Sequence, residues 1–147
     1  MRMEGCLFCQ IAAGDIPSHW VYEDDALLAF LDIAPVREGH SLIIPKAHHR
    51  HFDDLPADLA ARIIQLGQRL ARTMKPMFGV ARVGFLFTGN DVDHAHGHVI
   101  PMREKDDLTS RRYIAEEVVT YRNPPQPPRD EMARVASALR DALRGPV

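Results

Sequence analysis

The chain has 147 residues, 46% of them hydrophobic and 26% charged, with a formal net charge of −2. This suits one globular domain with a genuine core. Lysine and arginine are scattered evenly, so there is no electrostatic footprint for a nucleic acid polymer. No apolar run approaches the roughly 20 residues that cross a bilayer, and the segment Met1 to Cys6 lacks the apolar core of a signal peptide. The expectation is therefore a cytoplasmic protein with no membrane partner.

Taken in chain order, the first feature is the pair Cys6 and Cys9, separated by Leu7 and Phe8. In a reducing compartment such a pair is more often metal-binding or redox-active than a structural disulfide. Two-residue spacing lets both thiolates reach one zinc, and a tetrahedral structural site then needs two further nitrogen or sulfur ligands. The redox alternative expects the pair at a helix start inside a βαβ unit, which is not evident here. Ile11 to Ala13 leads into a turn over Gly14 to Ser18. Val21 to Glu23 and Ala26 to Leu31 read as strands of a hairpin joined at Asp24 and Asp25. Ser41 to Pro45 reads as a buried strand ended by proline.

From about Asp54 to Lys75, Leu59, Ile63, Leu66, Leu70 and Met74 recur at helical spacing. Asp54 is the expected cap and Pro56 is tolerated in the first turn. Arg82 to Thr88 and His96 to Met102 are further strand candidates. A proline-rich stretch from Asn123 to Pro128 then breaks regular structure, and Met132, Val135, Ala136, Leu139 and Leu143 mark a short amphipathic helix. Strands in series around one long helix predict an α+β fold: an antiparallel β-sheet meander, one long helix and a C-terminal helix. Residues 1–105 form the expected domain core, and 106–147 an extension packed on the same domain.

The chain carries eight histidines, and His94, His96 and His98 stand at every second position. On an extended strand such residues share a face, so the rings would crowd one patch. Imidazole serves as nucleophile, proton donor or metal ligand near neutral pH, and evenly spaced copies can divide those roles. His40, His48, His49 and His51 form a second cluster.

Four motifs occur in order: Cys6 to Ile11 followed by Gly14 to Ser18, Ala29 to Pro35, Gly39 to His48, and the triad itself. Together they resemble the histidine-triad nucleotide-binding family, and the opening is similar to its zinc-containing bacterial Hint-like branch. The resemblance runs from about Cys6 to Pro101. It implies an antiparallel sheet with one packed helix, a homodimer, and hydrolysis or transfer at a nucleoside monophosphate. It places the nucleophile at His96 and a charge-stabilising partner at His98, with His40 as supporting histidine or as a hydrogen-bonded strand-end residue.

Histidine rather than glutamine at position 98 resembles the hydrolases. Ala95 and Gly97 are smaller than the apolar residues usual between the triad histidines, and Asp91 falls where a family hydroxyl assists the leaving group. A carboxylate beside phosphate is repulsive unless protonated or engaged with a histidine. Asn90 is the expected phosphate contact. Asp32 matches the ribose-binding position, where a carboxylate accepts both sugar hydroxyls. Phe8, Phe30 and Ile43 are the expected walls of a base slot, with Leu7, Ile11 and Leu31 as weaker candidates. The metal set implied is Cys6, Cys9, His48 and His94 around a structural zinc, although on spacing alone His49 and His51 compete with His48.

The substrate class expected is a small-molecule nucleotide, either a purine nucleoside phosphoramidate or a dinucleoside polyphosphate. Two other readings stand beside it. One is a non-catalytic nucleotide-binding or scaffold module. The other is a metallohydrolase in which His94, His96 and His98 together hold a catalytic zinc.

Overall fold

The computed structural model describes residues 3–89, 91–108, 118 and 124–144. Among them lie a one-turn-and-a-half helix α1 (Leu7–Ala12), strands β1 (Trp20–Glu23), β2 (Leu27–Leu31) and β3 (Ser41–Pro45), and the long helix α2 (Ala57–Phe78). Strands β4 (Arg82–Phe87) and β5 (Gly97–Met102) and helix α3 (Arg129–Arg144) complete the order. The strands form one sheet in the order β1-β2-β3-β5-β4, every pair antiparallel. β1 to β3 run as a meander; after α2 the chain enters at the edge as β4 and returns as β5 between β4 and β3.

Every residue of β2 and β3 is buried because both faces of the sheet are covered. On one face, Ala29, Leu31, Ile43 and Val99 meet Ile63, Leu66, Leu70 and Met74 of α2 and the apolar stripe of α3. On the other, Leu28, Phe30, Leu42 and Ile44 pack with Phe8 of α1. Strand alternation thus deals neighbouring residues to two separate clusters. The hairpin turn is held by Asp24, whose Oδ1 accepts the amides of Ala26 and Leu27 at 2.9 and 2.8 Å.

β1, β2, β4 and β5 each differ by one residue at one end from the sequence expectation, β5 starting after His96, and both ends of α2 differ as well. Asp54 does not cap α2: it closes a short 3₁₀ turn over Phe52–Asp54 by accepting the His51 amide at 3.1 Å, and α2 begins after Pro56. At the far end α2 runs to Phe78 and stops at Gly79, whose φ of 63° satisfies a left-handed C-cap without steric cost. The apolar spacing also left α1 unpredicted, because a helix of six residues is too short to show a period. Among the described residues, no helix is long and apolar enough to cross a membrane.

Candidate functional site

α1 carries the first half of a four-residue cluster. Cys6 sits at its N-cap and Cys9 one turn on, with the Cys9 amide 3.5 Å from Cys6 Sγ. Opposite them, His94 Nδ1 lies 3.4 Å from Cys6 Sγ and 3.6 Å from Cys9 Sγ, and His48 Nδ1 lies 3.5 Å from Cys9 Sγ. A tetrahedral zinc with bonds of about 2.3 Å to sulfur and 2.0 Å to nitrogen separates such ligands by about 3.5 Å, so these distances match the spacing that a metal ion held by these residues requires. His94 Nε2 is 2.8 Å from the carbonyl of Pro45. A carbonyl only accepts, so Nε2 bears the proton and Nδ1 turns its lone pair toward the thiols. Burial pushes His94 down to about 4, which keeps it neutral as a ligand must be. His49 and His51 stand outside the cluster: His49 uses its carbonyl to accept the Ala95 amide, and His51 is half exposed beside Asp54 and Asp93.

The other two triad histidines face away from the metal cluster and differ in polarity. His96 Nδ1 is 2.6 Å from the carbonyl of His94, so it donates there and Nε2 carries a lone pair. His98 is set by a longer chain. The amide of Val36 donates to His40 Nδ1 at 3.1 Å. His40 must then hold its proton on Nε2, which lies 2.9 Å from His98 Nδ1. His98 Nδ1 accepts, leaving an N–H at Nε2. The two rings are 5.0 Å apart, one offering a lone pair and the other a proton. Burial pushes His40 down, and burial together with His40 and His96 takes His98 down to about 4, so both are neutral at pH 7.

Asp32 follows β2 at the mouth of this chain. Its Oδ1 accepts the Ala34 amide at 2.8 Å, and Oδ2 stands 3.7 Å from His40 Nε2. Asp32, His40 and His98 also converge closely enough to suggest a second metal set. The Val36 amide argues against it, because it keeps the proton on the His40 nitrogen that an ion would need. Beside Asp32 and His40 a cavity of about 360 Å³ opens between the β2–β3 loop and Pro124, Pro125 and Pro127.

A HIT domain model matches residues 13–105, which contain the whole histidine array and Asp32. The chain belongs to the HIT family. It is 37% identical over 105 residues to a HIT-like protein of Methanocaldococcus jannaschii, covering 69% of this chain and 81% of that one. It is 39% identical over 101 residues to the adenosine 5′-monophosphoramidase of Saccharomyces cerevisiae, covering 68% of this chain and 64% of that one. A zinc-bound histidine triad protein of Mycobacterium smegmatis superposes with a TM-score of 0.74 at 31% identity, over 95% of this chain and 93% of that one. The α+β fold and the antiparallel sheet are those of HIT structures.

Within this HIT domain one expected base contact is corrected. Ile43 is fully buried on the helix-covered face of the sheet, whereas Leu31, on the same face, lines the cavity beside Asp32. Strand alternation puts Leu42, not Ile43, on the face of His98, its register partner. Phe8 and Phe30 are on the site face, packed edge to face at 5.6 Å, and Phe8 meets the His96 ring at 5.1 Å. Both are nearly buried, so they support the site more than they line it. Exposed apolar side chains include Leu7, Ile33, which is directly after Asp32 and 61% exposed, and Val36 beside His40.

Asp91 is exposed, and its charge acts on His98 in the direction of retaining a proton. Asn90 lies outside the described residues. The three-histidine metal reading fails on geometry. His94 is turned to the cysteines, and His96 Nδ1 and His98 Nδ1 are engaged with His94 O and His40, so the three rings of the triad do not bring their nitrogens together around one point. A backbone carbonyl behind His96 is what the family resemblance implies, and His94 O supplies it; sequence reasoning missed the other main-chain groups that set tautomers, Pro45 O and the Val36 amide. Main-chain atoms leave no residue signature.

Proposed function

We propose that the protein hydrolyses a nucleoside 5′-monophosphate linked to nitrogen, with His96 as nucleophile. The observation that carries this reading is the opposite polarity of adjacent rings: His96 presents a lone pair at Nε2 and His98 an N–H. The lone pair attacks phosphorus in line and forms a nitrogen–phosphorus bond. The bond to the leaving nitrogen breaks with its electron pair, and that nitrogen takes a proton from water. The hydroxide left behind attacks phosphorus, the electron pair returns to His96 Nε2, and the nucleoside monophosphate departs. His98 Nε2–H, backed by His40, donates to a phosphoryl oxygen as charge builds. Asp32 holds the ribose hydroxyls, and Ile33 and Leu7 are the exposed apolar surface for the base. The yeast relative's phosphoramidase activity supports nitrogen as leaving atom; a dinucleoside polyphosphate is the alternative substrate.

Cys6, Cys9, His48 and His94 are proposed to hold a structural zinc. Burying His48 Nε2 without a partner among the described residues costs about 1–3 kcal/mol, which coordination at Nδ1 offsets. The ion ties α1 to the loop whose His94 carbonyl orients His96. A homodimer is proposed through β4, an edge strand whose outer side pairs with no strand among the described residues and whose Val83, Phe85 and Phe87 are only partly buried. Light scattering at micromolar concentration reads it directly, and a monomer there removes the idea.

The deciding experiment is rapid quench with an adenosine 5′-phosphoramidate of a primary amine, followed by mass mapping of the trapped adduct. A nucleotidyl group on His96 and AMP release are expected. Binding without any AMP release, from this substrate or a dinucleoside polyphosphate, overturns the hydrolase in favour of the binding module.

A further inference from the structure

His40 receives its orientation from a main-chain amide in the β2–β3 loop, so the register of that loop decides which nitrogen of His40 holds the proton. The loop is fastened from outside. Arg37, next to Val36, sends Nε and Nη2 to Asp107 Oδ1 at 3.0 and 2.7 Å. The Asp107 side chain is only 5% exposed, and its Oδ2 accepts the amides of Arg103 and Glu104 at 2.7 and 3.1 Å. One carboxylate therefore pins the loop with one oxygen and folds the turn after β5 with the other. The guanidinium holds the Asp107 carboxyl down to about 2, so the pair persists at neutral pH.

A second fastening is steric: Gly39 has a φ of +89°, and a Cβ there would stand 2.4 Å from the Phe78 ring at the end of α2. Arg103 donates to the carbonyl of that same Phe78 at 3.1 Å. A third tie, Glu38 to Arg134 of α3 at 3.1 Å, is exposed and contributes little by itself. Asp107 and Arg134 both lie beyond residues 13–105 matched by the domain model.

We infer that Arg37 and Asp107 are positioning residues: the segment after the HIT domain clamps the β2–β3 loop so that the Val36 amide fixes the His40 tautomer and, through it, the proton-donating nitrogen of His98. A loose loop lets the His40 ring exchange protons between its nitrogens. His98 then presents an N–H to the phosphate only part of the time, and the chemical step slows while ground-state binding through Asp32 persists. The kinetic half of this inference rests on the proposed hydrolysis; the tautomer half does not.

The test uses Arg37→Met, which keeps the apolar stem and leaves Asp107 free to fold its own turn, with Arg37→Lys as the conservative variant. Long-range proton–nitrogen NMR of the full chain reads the imidazoles. The parent shows His40 as a single Nε2–H tautomer, Arg37→Met a mixture, and Arg37→Lys an intermediate state. With the phosphoramidate, kcat is expected to fall about tenfold in Arg37→Met with KM within twofold, and to recover partly in Arg37→Lys. An unchanged His40 spectrum overturns the inference, and so does a loss confined to KM. If Arg37→Met fails to fold, Arg37→Lys alone decides by the same two criteria. If the parent releases no AMP, the hydrolase reading falls while the NMR result still decides the clamp.

Discussion

His40 Nε2 lies 2.9 Å from His98 Nδ1, and the direction of that hydrogen bond is dictated from behind, by the Val36 amide on His40 Nδ1. A buried and a half-buried imidazole share one proton between them, with no room for a second. Protonating either ring destroys an acceptor, and burial already disfavours the charge. His98 is lowered from its ordinary 6.5 to about 4, so the unfolded chain binds this proton at a higher pH than the folded one does. Folding stability is then complete above 6.5 and falls as pH drops toward 4. Thermal midpoints recorded between pH 7 and 4 should decline, and His98→Asn should flatten the decline relative to the parent. Equal slopes in the two proteins contradict the assignment.

Metal analysis of protein purified without chelator should find one zinc per chain, held by Cys6, Cys9, His48 and His94. The Cys6→Ser, Cys9→Ser double variant should lose it, and its thermal midpoint should fall, because binding free energy at such a site is folding free energy. His49→Ala and His51→Ala should retain the ion. Full zinc in the double variant removes the proposed site.

Asp32→Ala should weaken AMP binding and abolish the preference for AMP over its 2′-deoxy analogue, since the carboxylate is the group proposed to accept the sugar hydroxyls. Calorimetric titration with both nucleotides reads the effect. The Asp32 Oδ1 bond to the Ala34 amide makes Asp32→Asn the useful companion, because it keeps an oxygen for that turn. Undiminished discrimination in both variants places the ribose elsewhere.

Packing against β4 explains why the residue between His96 and His98 is small. A Cβ at Gly97 would stand 2.9 Å from Phe85 Cζ and 3.4 Å from Phe87 Cζ: rings from β4 fill the space that a larger side chain at this position needs. Gly97→Val should destabilise by about 1–3 kcal/mol through overpacking, as measured by denaturant unfolding. Adding Phe85→Leu should recover much of the loss. A neutral Gly97→Val contradicts the packing argument.

His96→Asn should cost at least about a thousandfold in rate while AMP binding stays within a fewfold, since it removes the attacking lone pair and leaves Asp32 untouched. Single-turnover rates and equilibrium titration give the two halves. A variant that turns over at the parent's rate refutes His96 as nucleophile.

Much of this was legible in the residue order. The paired cysteines and the helical stripes of α2 and α3 are local patterns, and a short spacing or a period carries over directly into a close pair or a face; the every-second-position histidines do not share one strand face, since only His98 lies on β5 and His94 turns to the cysteines. The sequence by itself therefore determined the α+β class, the apolar stripe each helix buries, and the residue types gathered at the site. It left His48, His49 and His51 equivalent and assigned Ile43 to the base, because local spacing does not say which of neighbouring histidines meets α1 or which face of a doubly covered sheet faces the ligand. Tertiary structure decided both: the pairing of β3 with β5 sets Leu42 against His98, and α1 selects His48. It also decided the proton positions, because Pro45 O, His94 O and the Val36 amide are main-chain atoms whose partners depend on how distant segments meet. That is the physical reason the clamp between Arg37 and Asp107, 70 residues apart, could only be read from the fold.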